Sequence, residues 1–219
     1  MSGTSLDGVD LSVIKSDGYN EFTCILDKYY KFDDKLQKTI ANLRSKISNN
    51  KDLIDYSNEL DDLEREITLF HSKVVNEVLS NFKDNIDLIG FHGQTIYHNP
   101  DHKISKQLGD GKLLSQLTKK IVINNFRKND LENDGQGAPL TPIFHKVISK
   151  TICQKKKINL PISVINIGGI SNVTIVFEDK NEINLKARDI SPGNCMIDEW
   201  VRKNSKLKFD ENGNIAKSG

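Results

Sequence analysis

Two turns rich in glycine and serine stand at corresponding places in this sequence, each followed by a run of strand-forming residues. The first is GTSLDGVD at residues 3–10, which leads into alternating apolar residues from Val9 onward. The second is NIGGISNVT at residues 166–174, between apolar runs at 162–167 and 173–177. Glycine permits backbone conformations with positive φ and lets the chain approach another group closely. The sequence therefore predicts a strand–turn–strand unit at the start of each half.

Helical and extended patterns alternate along the rest of the chain. Apolar residues at helical spacing predict helices, among them 33–47 and 53–82. Short apolar runs between them predict strands, and the mixture predicts an α/β fold. The polar stretch Thr151–Asn159 is predicted to be a linker. It would separate a first domain of residues 1–150 from a second domain of residues 160–219.

Composition excludes several classes of protein. The 219 residues carry a net charge of +1, so no nucleic-acid or anionic-membrane partner is indicated. No apolar run approaches the length of about 18 residues that a membrane helix needs. Three widely spaced cysteines form no CxxC pair, which favours free thiols in a reducing compartment. With no signal-peptide pattern at the N-terminus, we expect a cytoplasmic protein.

The first glycine-rich turn has the chemistry of a phosphate site. Its backbone N–H groups and hydroxyls can donate hydrogen bonds to an anion. Carboxylates beside a phosphate are useful only when a cation bridges the two, so Asp7 and Asp10 imply Mg²⁺. An ordinary hairpin with solvated carboxylates is the alternative, since such turns are common. The residues that we expect to hold phosphate are Gly3, Thr4, Ser5, Leu6, Asp7, Gly8, Val9 and Asp10.

The second turn repeats this pattern with two consecutive glycines. Gly168 and Gly169 would let the backbone pack against a ligand, and neighbouring hydroxyl and amide side chains add donors. A plain hairpin is again the alternative. Because each turn opens one half of the chain, the pair predicts two surfaces that face one ligand.

The segment HGQT, residues 92–95, follows a predicted buried strand. Ligands usually bind at the carboxyl ends of strands in open α/β sheets, so His92 and Gln94 are candidates to bind sugar hydroxyls. A structural histidine is the alternative. His92, His98 and His102 also raise the possibility of a metal-dependent hydrolase. Their spacing matches no zinc signature and no fourth ligand is evident.

Two further segments contain charged residues that are candidates for substrate binding and catalysis. Arg127, predicted at the end of a strand, precedes the glycine-rich loop of DGQGAPLTP and has the geometry to hold a carboxylate bidentately. Asp189, in ARDISPGN, is predicted at the end of a strand before a helix. A carboxylate there can act as a general base on water or a hydroxyl. A surface arginine and a helix-capping aspartate are the alternatives.

In order along the chain, these segments resemble the anhydro-N-acetylmuramic acid kinase family. The resemblance covers Met1 to Trp200 and is carried by seven motifs, far more specific together than any one glycine loop. The motifs are MSGTSLDGVD, GFHGQT, QLGDG, NFR, GQGAPL, INIGGISN and the SPGN segment with its following Asp and Trp.

The resemblance implies an actin/hexokinase-like two-domain ATPase fold whose second domain is incomplete here. It also implies a bacterial enzyme of peptidoglycan recycling. Such an enzyme converts 1,6-anhydro-N-acetylmuramic acid, ATP and water to N-acetylmuramic acid 6-phosphate and ADP, with Mg²⁺. By matching position, Gly3–Asp10 would bind the ATP phosphates and Asp189 would activate water. His92, Gln94, Arg127 and Asp130 would line the sugar pocket, and a homodimer is left open.

Departures from the family pattern leave a second hypothesis open. The resemblance implies a longer chain that continues past residue 219 with a segment for the adenosine side of ATP. The chain would then be a non-catalytic remnant that binds nucleotide weakly or not at all.

Overall fold

A computed structural model describes residues 2–3 and 6–219 of the chain. It divides into two compact units, Met1–Lys15 with Thr23–Ala138, and Ser16–Phe22 with Pro139–Gly219. Both contain helices and strands, so the predicted mixed α/β class is confirmed.

Most elements of the first unit follow from the apolar spacing of the sequence, although two strands between residues 94 and 108 and two short helices were not predicted. They are β1 (Gly8–Ser16), β2 (Phe22–Lys31), α1 (Asp34–Lys46), α2 (Asn50–Asp55), α3 (Ser57–Asn81), β3 (Leu88–Phe91), β4 (Gln94–Asn99), β5 (Ile104–Leu108), α4 (Gly111–Thr118), β6 (Ile121–Asn124) and α5 (Phe126–Glu132).

Side-chain caps fix where two of these helices begin. The Asp33 carboxylate accepts a hydrogen bond from Leu36 N at 2.8 Å and starts α1. The Asp110 carboxylate likewise accepts from Leu113 N at 2.9 Å and starts α4. One core joins α1, α3, the β1–β2 pair and the β4–β5 pair, and Ile40, Ile67 and Leu108 are fully buried in it. The described part of the first unit is therefore organised around one hydrophobic core.

The second unit contains one helix packed on one sheet, followed by two more helices. Its elements are α6 (Thr141–Lys156), β7 (Ile162–Ile167), β8 (Ile170–Asp179), β9 (Glu182–Pro192), α7 (Asn194–Asn204) and α8 (Asn214–Ser218). The three strands are antiparallel in the order β7–β8–β9. Helix α6 lies on the face of the sheet that carries Thr174, whose hydroxyl is 2.8 Å from His145 Nδ1.

Most of the segment predicted to be a linker is helical. Residues 151–156, predicted to be linker, continue α6 to Lys156, because lysine favours helix and the polarity of the segment is that of an exposed helical turn. The tip of the β1–β2 pair also belongs to the second unit. Phe22 packs on Phe144 with ring centroids 4.6 Å apart, and Lys150 donates to Asn20 at 3.0 Å. The two compact units divide after Ala138, and the predicted domains at residues 1–150 and 160–219 stay a prediction.

Candidate functional site

The candidate residues of the first unit meet where two parallel strands end. Strand β3 pairs with β6 in a register that sets Phe91 opposite Asn124. The residues that follow these strands therefore leave the same edge of the sheet, which is where α/β proteins usually bind ligands. His92 follows β3 directly. Arg127 lies in the first turn of α5 and not at the end of a strand, because β6 ends at Asn124.

Hydrogen bonds define the protonation of His92. Its Nδ1 lies 2.9 Å from the carbonyl oxygen of Gly93, so Nδ1 carries the proton and donates it. Its Nε2 then accepts a hydrogen bond from Arg127 Nε at 3.1 Å. Burial lowers the pKa of His92, and the positive charge of Arg127 lowers it further. The imidazole is therefore neutral, and both of its nitrogens are engaged.

The loop that follows α5 is held by Arg127 and Asp130. Arg127 Nη1 donates to the carbonyl oxygen of Gly137 at 2.7 Å, and the Asp130 carboxylate accepts from Gly137 N at 2.6 Å. Burial lowers the pKa of Arg127, but a guanidinium remains charged in proteins. Nε and Nη1 each donate one hydrogen bond to protein, so among the described residues Nη2 keeps both of its N–H groups for a carboxylate. The structure thus gives Asp130 a role in shaping the loop.

Gln94 lies behind the first glycine-rich turn. Its side chain is fully buried, and Nε2 donates to the carbonyl oxygen of Gly3 at 3.1 Å. Ser2 forms isolated β-bridges with Val9 and with Gln94. Gln94 therefore fixes the start of the turn, and its predicted contact with a sugar hydroxyl stays a prediction.

A cleft of about 450 Å³ lies beside His92 in the first unit. Its lining combines amide side chains, lysines and acids, a set suited to hydrogen bonds with a polar ligand. Sequence reasoning had not selected Asn124 and Asn125, which line the cleft just before α5. The pair of asparagines in NNFR could have indicated a turn before a helix. Asparagine tolerates the left-handed conformation that Asn125 adopts with φ of 60°.

The described part of the first turn carries two exposed carboxylates. Strand β1 begins at Gly8, and Asp7 and Asp10 are exposed on either side of its start. Burial raises the pKa of Tyr29, and the negative charges of Asp7 and Asp10 raise it further, so both carboxylates lie near this ring. Leu6 and Val9 are buried and anchor the turn in the core. Thr4 and Ser5, also predicted to hold phosphate, lie outside the described residues.

The second glycine-rich turn joins β7 to β8, as the sequence predicted, and abuts the start of α7. Gly193 N donates to Gly169 O and Asn194 N to Gly168 O, both at 2.8 Å. A Cβ atom at Gly168 or Gly169 would meet its nearest neighbours at 3.7 and 3.9 Å, which is ordinary contact. Packing within the described protein therefore does not require glycine at either position. The two glycines are instead consistent with a backbone that a ligand approaches closely.

Asp189 lies inside β9 and not at its end. It pairs with Asn172, whereas Ser191 pairs with Ser171, so Ile190 is an extra residue that forms a β-bulge. Bulges bend a strand and re-aim the neighbouring side chain, and they are frequent next to active sites. Asp189 is exposed, and within residues 2–3 and 6–219 its carboxylate makes no hydrogen bond or ion pair. A carboxylate so placed is available to accept a proton.

The three histidines considered for a metal-dependent hydrolase make separate contacts, since Nδ1 of His92 already lies against Gly93 O. Within them, no group of three or more His, Cys, Asp or Glu side chains is arranged to hold a metal ion. His98 Nδ1 lies 2.9 Å from the Ser105 hydroxyl, and His102 Nδ1 lies 3.4 Å from the Asn50 amide. Across the same residues, no helix has the length and apolar character to cross a bilayer.

The family model and the relatives that match this chain carry the same description. The family model described as Anhydro-N-acetylmuramic acid kinase matches residues 1–219. The chain is 52% identical over 219 residues to the anhydro-N-acetylmuramic acid kinase of Pelagibacter ubique (strain HTCC1062), covering all of this chain and 57% of the relative. Relatives of the same name from Agrobacterium fabrum (strain C58) and Brucella canis are 35% and 36% identical, with all of this chain and 58% of each relative covered. The chain thus spans less than two thirds of the length of these relatives.

Proposed function

The chain belongs to the anhydro-N-acetylmuramic acid kinase family, and we propose that it carries the sugar-binding and water-activating parts of an ATP-dependent kinase. The reaction converts 1,6-anhydro-N-acetylmuramic acid, ATP and water to N-acetylmuramic acid 6-phosphate and ADP, a step of peptidoglycan recycling in the cytoplasm. The observation that carries the proposal is the match of the family model to residues 1–219. The finer fold implied is actin/hexokinase-like, with two domains and the second incomplete.

Sugar binding is assigned to the strand ends of the first unit. His92 is neutral and orients Arg127 through the 3.1 Å hydrogen bond. Arg127 Nη2 is then directed to the lactyl carboxylate that distinguishes a muramic acid from other amino sugars. A charge-assisted hydrogen bond of this kind is stronger than one between neutral groups. Asp130 acts through Gly137 by holding the loop beside the guanidinium.

Asp189 is assigned the proton transfer. Its carboxylate takes a proton from water as the water oxygen bonds to the anomeric carbon and the bond from that carbon to O6 breaks. O6 then bonds to the γ-phosphorus of ATP, and the bond between that phosphorus and the leaving ADP oxygen breaks. The exposed carboxylate at the bulge of β9 is free to receive the proton.

Phosphate binding is assigned to each glycine-rich turn taken by itself. Gly168 and Gly169 have no Cβ to obstruct a phosphate, and Asp7 and Asp10 are the acids of the first turn. Oxygen ligands of this type suit Mg²⁺, which usually binds through one or two carboxylates together with substrate phosphates. When bound, the ion would neutralise negative charge on the phosphates.

A variant pair tests the proposal. We expect Asp189→Asn to abolish formation of the 6-phosphate, while Asp179→Asn, which changes an exposed carboxylate of the same sheet, leaves it intact. The assay follows ADP and sugar phosphate by mass spectrometry in ¹⁸O-labelled water, and the label should appear on the anomeric hydroxyl. Undiminished turnover by Asp189→Asn would reject this base.

The alternative to this proposal is a protein of the same family that has little or no affinity for ATP. Isothermal calorimetry with ATP and Mg²⁺ separates the two. Stoichiometric binding would exclude the alternative, and absence of binding heat at millimolar ATP would support it.

A further inference from the structure

Gln94 is a fully buried polar residue whose amide is held by two backbone carbonyls. It is 0% exposed, and its Nε2 donates to the carbonyl oxygens of Gly3 and Thr95 at 3.1 and 3.3 Å. Only the NH₂ end of the amide can donate to both, so these two carbonyls fix which way the amide is turned. The side chain therefore has a fixed orientation and no surface exposed to a sugar.

The other end of the Gln94 amide is unpaired. Within residues 2–3 and 6–219, no donor lies within hydrogen-bond distance of Oε1. A buried acceptor without a donor destabilises the folded protein, whereas an apolar side chain of similar shape would avoid this cost. Filling space therefore does not account for a glutamine here. Its advantage lies in the bonds of Nε2, of which the one to Gly3 joins residues 91 positions apart.

The carbonyl oxygen of Gly3 closes the start of the first glycine-rich turn. It accepts a hydrogen bond from Leu6 N at 3.3 Å in addition to the one from Gln94. Leu6 has a φ of 60°, a left-handed conformation that is unfavourable for leucine. Its side chain is buried in the core of the unit. This part of the turn is thus held at Leu6 by the core and at Gly3 by Gln94.

Gln94 is itself anchored on a fixed element. It begins β4 and pairs with Leu108 of β5, which is fully buried. Ser2 forms β-bridges with both Val9 and Gln94, and its hydroxyl donates to Gly93 O at 3.3 Å. A side chain positions a site most precisely when its own element is rigid. The start of β4 therefore gives the Gln94 amide a firm base from which to hold Gly3.

We propose that Gln94 is a positioning residue for phosphate, because its hold on Gly3 O keeps the first glycine-rich turn in the shape that binds the phosphates of ATP. The inference rests on the proposed function, since it takes phosphate binding at this turn as its premise. Donors that are already held in place lose less entropy when an anion binds. Gln94 thus contributes to affinity for nucleotide and makes no contact with the sugar.

Separate titrations with the two ligands test this role. The probes are a non-hydrolysable ATP analogue with Mg²⁺ and 1,6-anhydro-N-acetylmuramic acid, each followed by isothermal calorimetry. Gln94→Met keeps the length of the side chain and removes the amide. We expect it to weaken nucleotide binding by about five- to ten-fold and to change sugar binding by less than about two-fold. Gln116→Met, which changes an exposed glutamine of α4, is the control and should leave both affinities unchanged.

The possible results separate this inference from the proposed function. Absence of nucleotide binding by the wild-type chain would overturn both. Equal nucleotide affinities of wild type and Gln94→Met would overturn the positioning role alone. A selective loss of sugar affinity in Gln94→Met would assign Gln94 to the sugar pocket instead. Equal weakening of both ligands, in a variant that is folded by circular dichroism, would reduce Gln94 to a structural residue.

Gln94→Glu provides a second comparison and replaces Gln94→Met if that variant does not fold. Burial raises the pKa of a carboxyl group, and the protonated group can donate to Gly3 O as the amide does. Relative to wild type, Gln94→Glu should therefore bind nucleotide more tightly at about pH 6 than at about pH 9, where the ionised carboxylate cannot donate. The same relative affinity at both pH values would contradict the role of this donor.

Discussion

Arg127 Nε donates a hydrogen bond to His92 Nε2 at 3.1 Å across 35 positions of sequence. The contact exists because β3 and β6 are parallel and end together, so the residue after one meets the helix after the other. A cation that donates to an imidazole requires the imidazole to be neutral. Arg127 is also aligned by this bond, and the same guanidinium reaches Gly137.

Replacing Arg127 should raise the pKa of His92. In Arg127→Met the positive charge is gone, while burial continues to lower the pKa of the imidazole. The pKa therefore moves toward the ordinary value of histidine without reaching it. Titration of the His92 ring protons by NMR measures the change. Arg65→Met, which removes an exposed arginine of α3, is the control, and an unshifted His92 in Arg127→Met would contradict the expectation.

Acid should destabilise the protein through His71. Burial lowers the pKa of His71 from 6.5 to about 4, and its Nδ1 lies 2.8 Å from Ile67 O. The unfolded chain therefore binds a proton at a higher pH than the folded chain does. The free energy of unfolding contributed by this group is fully present above pH 6.5. It is lost as pH falls toward 4, by roughly 3 kcal/mol for a shift of this size.

Urea unfolding at several pH values, followed by circular dichroism, checks the His71 expectation. His71→Gln should flatten the dependence of unfolding free energy on pH between 6.5 and 4, whatever its stability at pH 7. His102→Gln, which changes an exposed histidine, should keep the wild-type dependence. Identical slopes for wild type and His71→Gln would show that other groups carry the effect.

Gly8 should be intolerant of a side chain for structural reasons. A Cβ atom there would lie 2.3 Å from the carbonyl oxygen of Tyr30, so β1 and β2 would have to separate. We expect Gly8→Ala to lower the free energy of unfolding by about 1–3 kcal/mol. In Gly90→Ala, the control, the nearest atom is a Phe126 ring carbon at 3.6 Å, and the change should stay within about 1 kcal/mol. Equal stabilities would contradict the packing.

The Asp130 carboxylate should hold the loop at 134–137 in place, whereas Asp134 should contribute little to its stability. Asp130→Ala leaves the buried Gly137 N–H without its acceptor, and we expect exchange of this amide to quicken by roughly ten-fold. Asp134→Ala removes an exposed ion pair with Lys103 and should leave the exchange rate unchanged. Hydrogen exchange followed by mass spectrometry compares the two variants. Equal exchange rates would mean that Asp130 does not hold the loop.

Local patterns predicted most elements because they depend on neighbouring residues. The spacing of Leu60, Leu63 and Ile67 indicated the long helix α3, and alternation from Val9 indicated β1. The pair β4–β5 escaped prediction because its residues are partly buried and of mixed polarity, so that no period stands out. The continuation of α6 to Lys156 was not predicted, because a run of polar residues is equally compatible with a loop and with an exposed helix.

The sequence alone determined the family, the α/β class and the order of the motifs, since these are properties of residue type and spacing. Only the tertiary structure decided what each candidate touches. It put His92 against Arg127, Asp130 on Gly137 and Gln94 behind Gly3, and set Asp189 at a bulge. Such contacts depend on strand register and on burial. Both follow from packing between segments far apart in sequence, which no local pattern records.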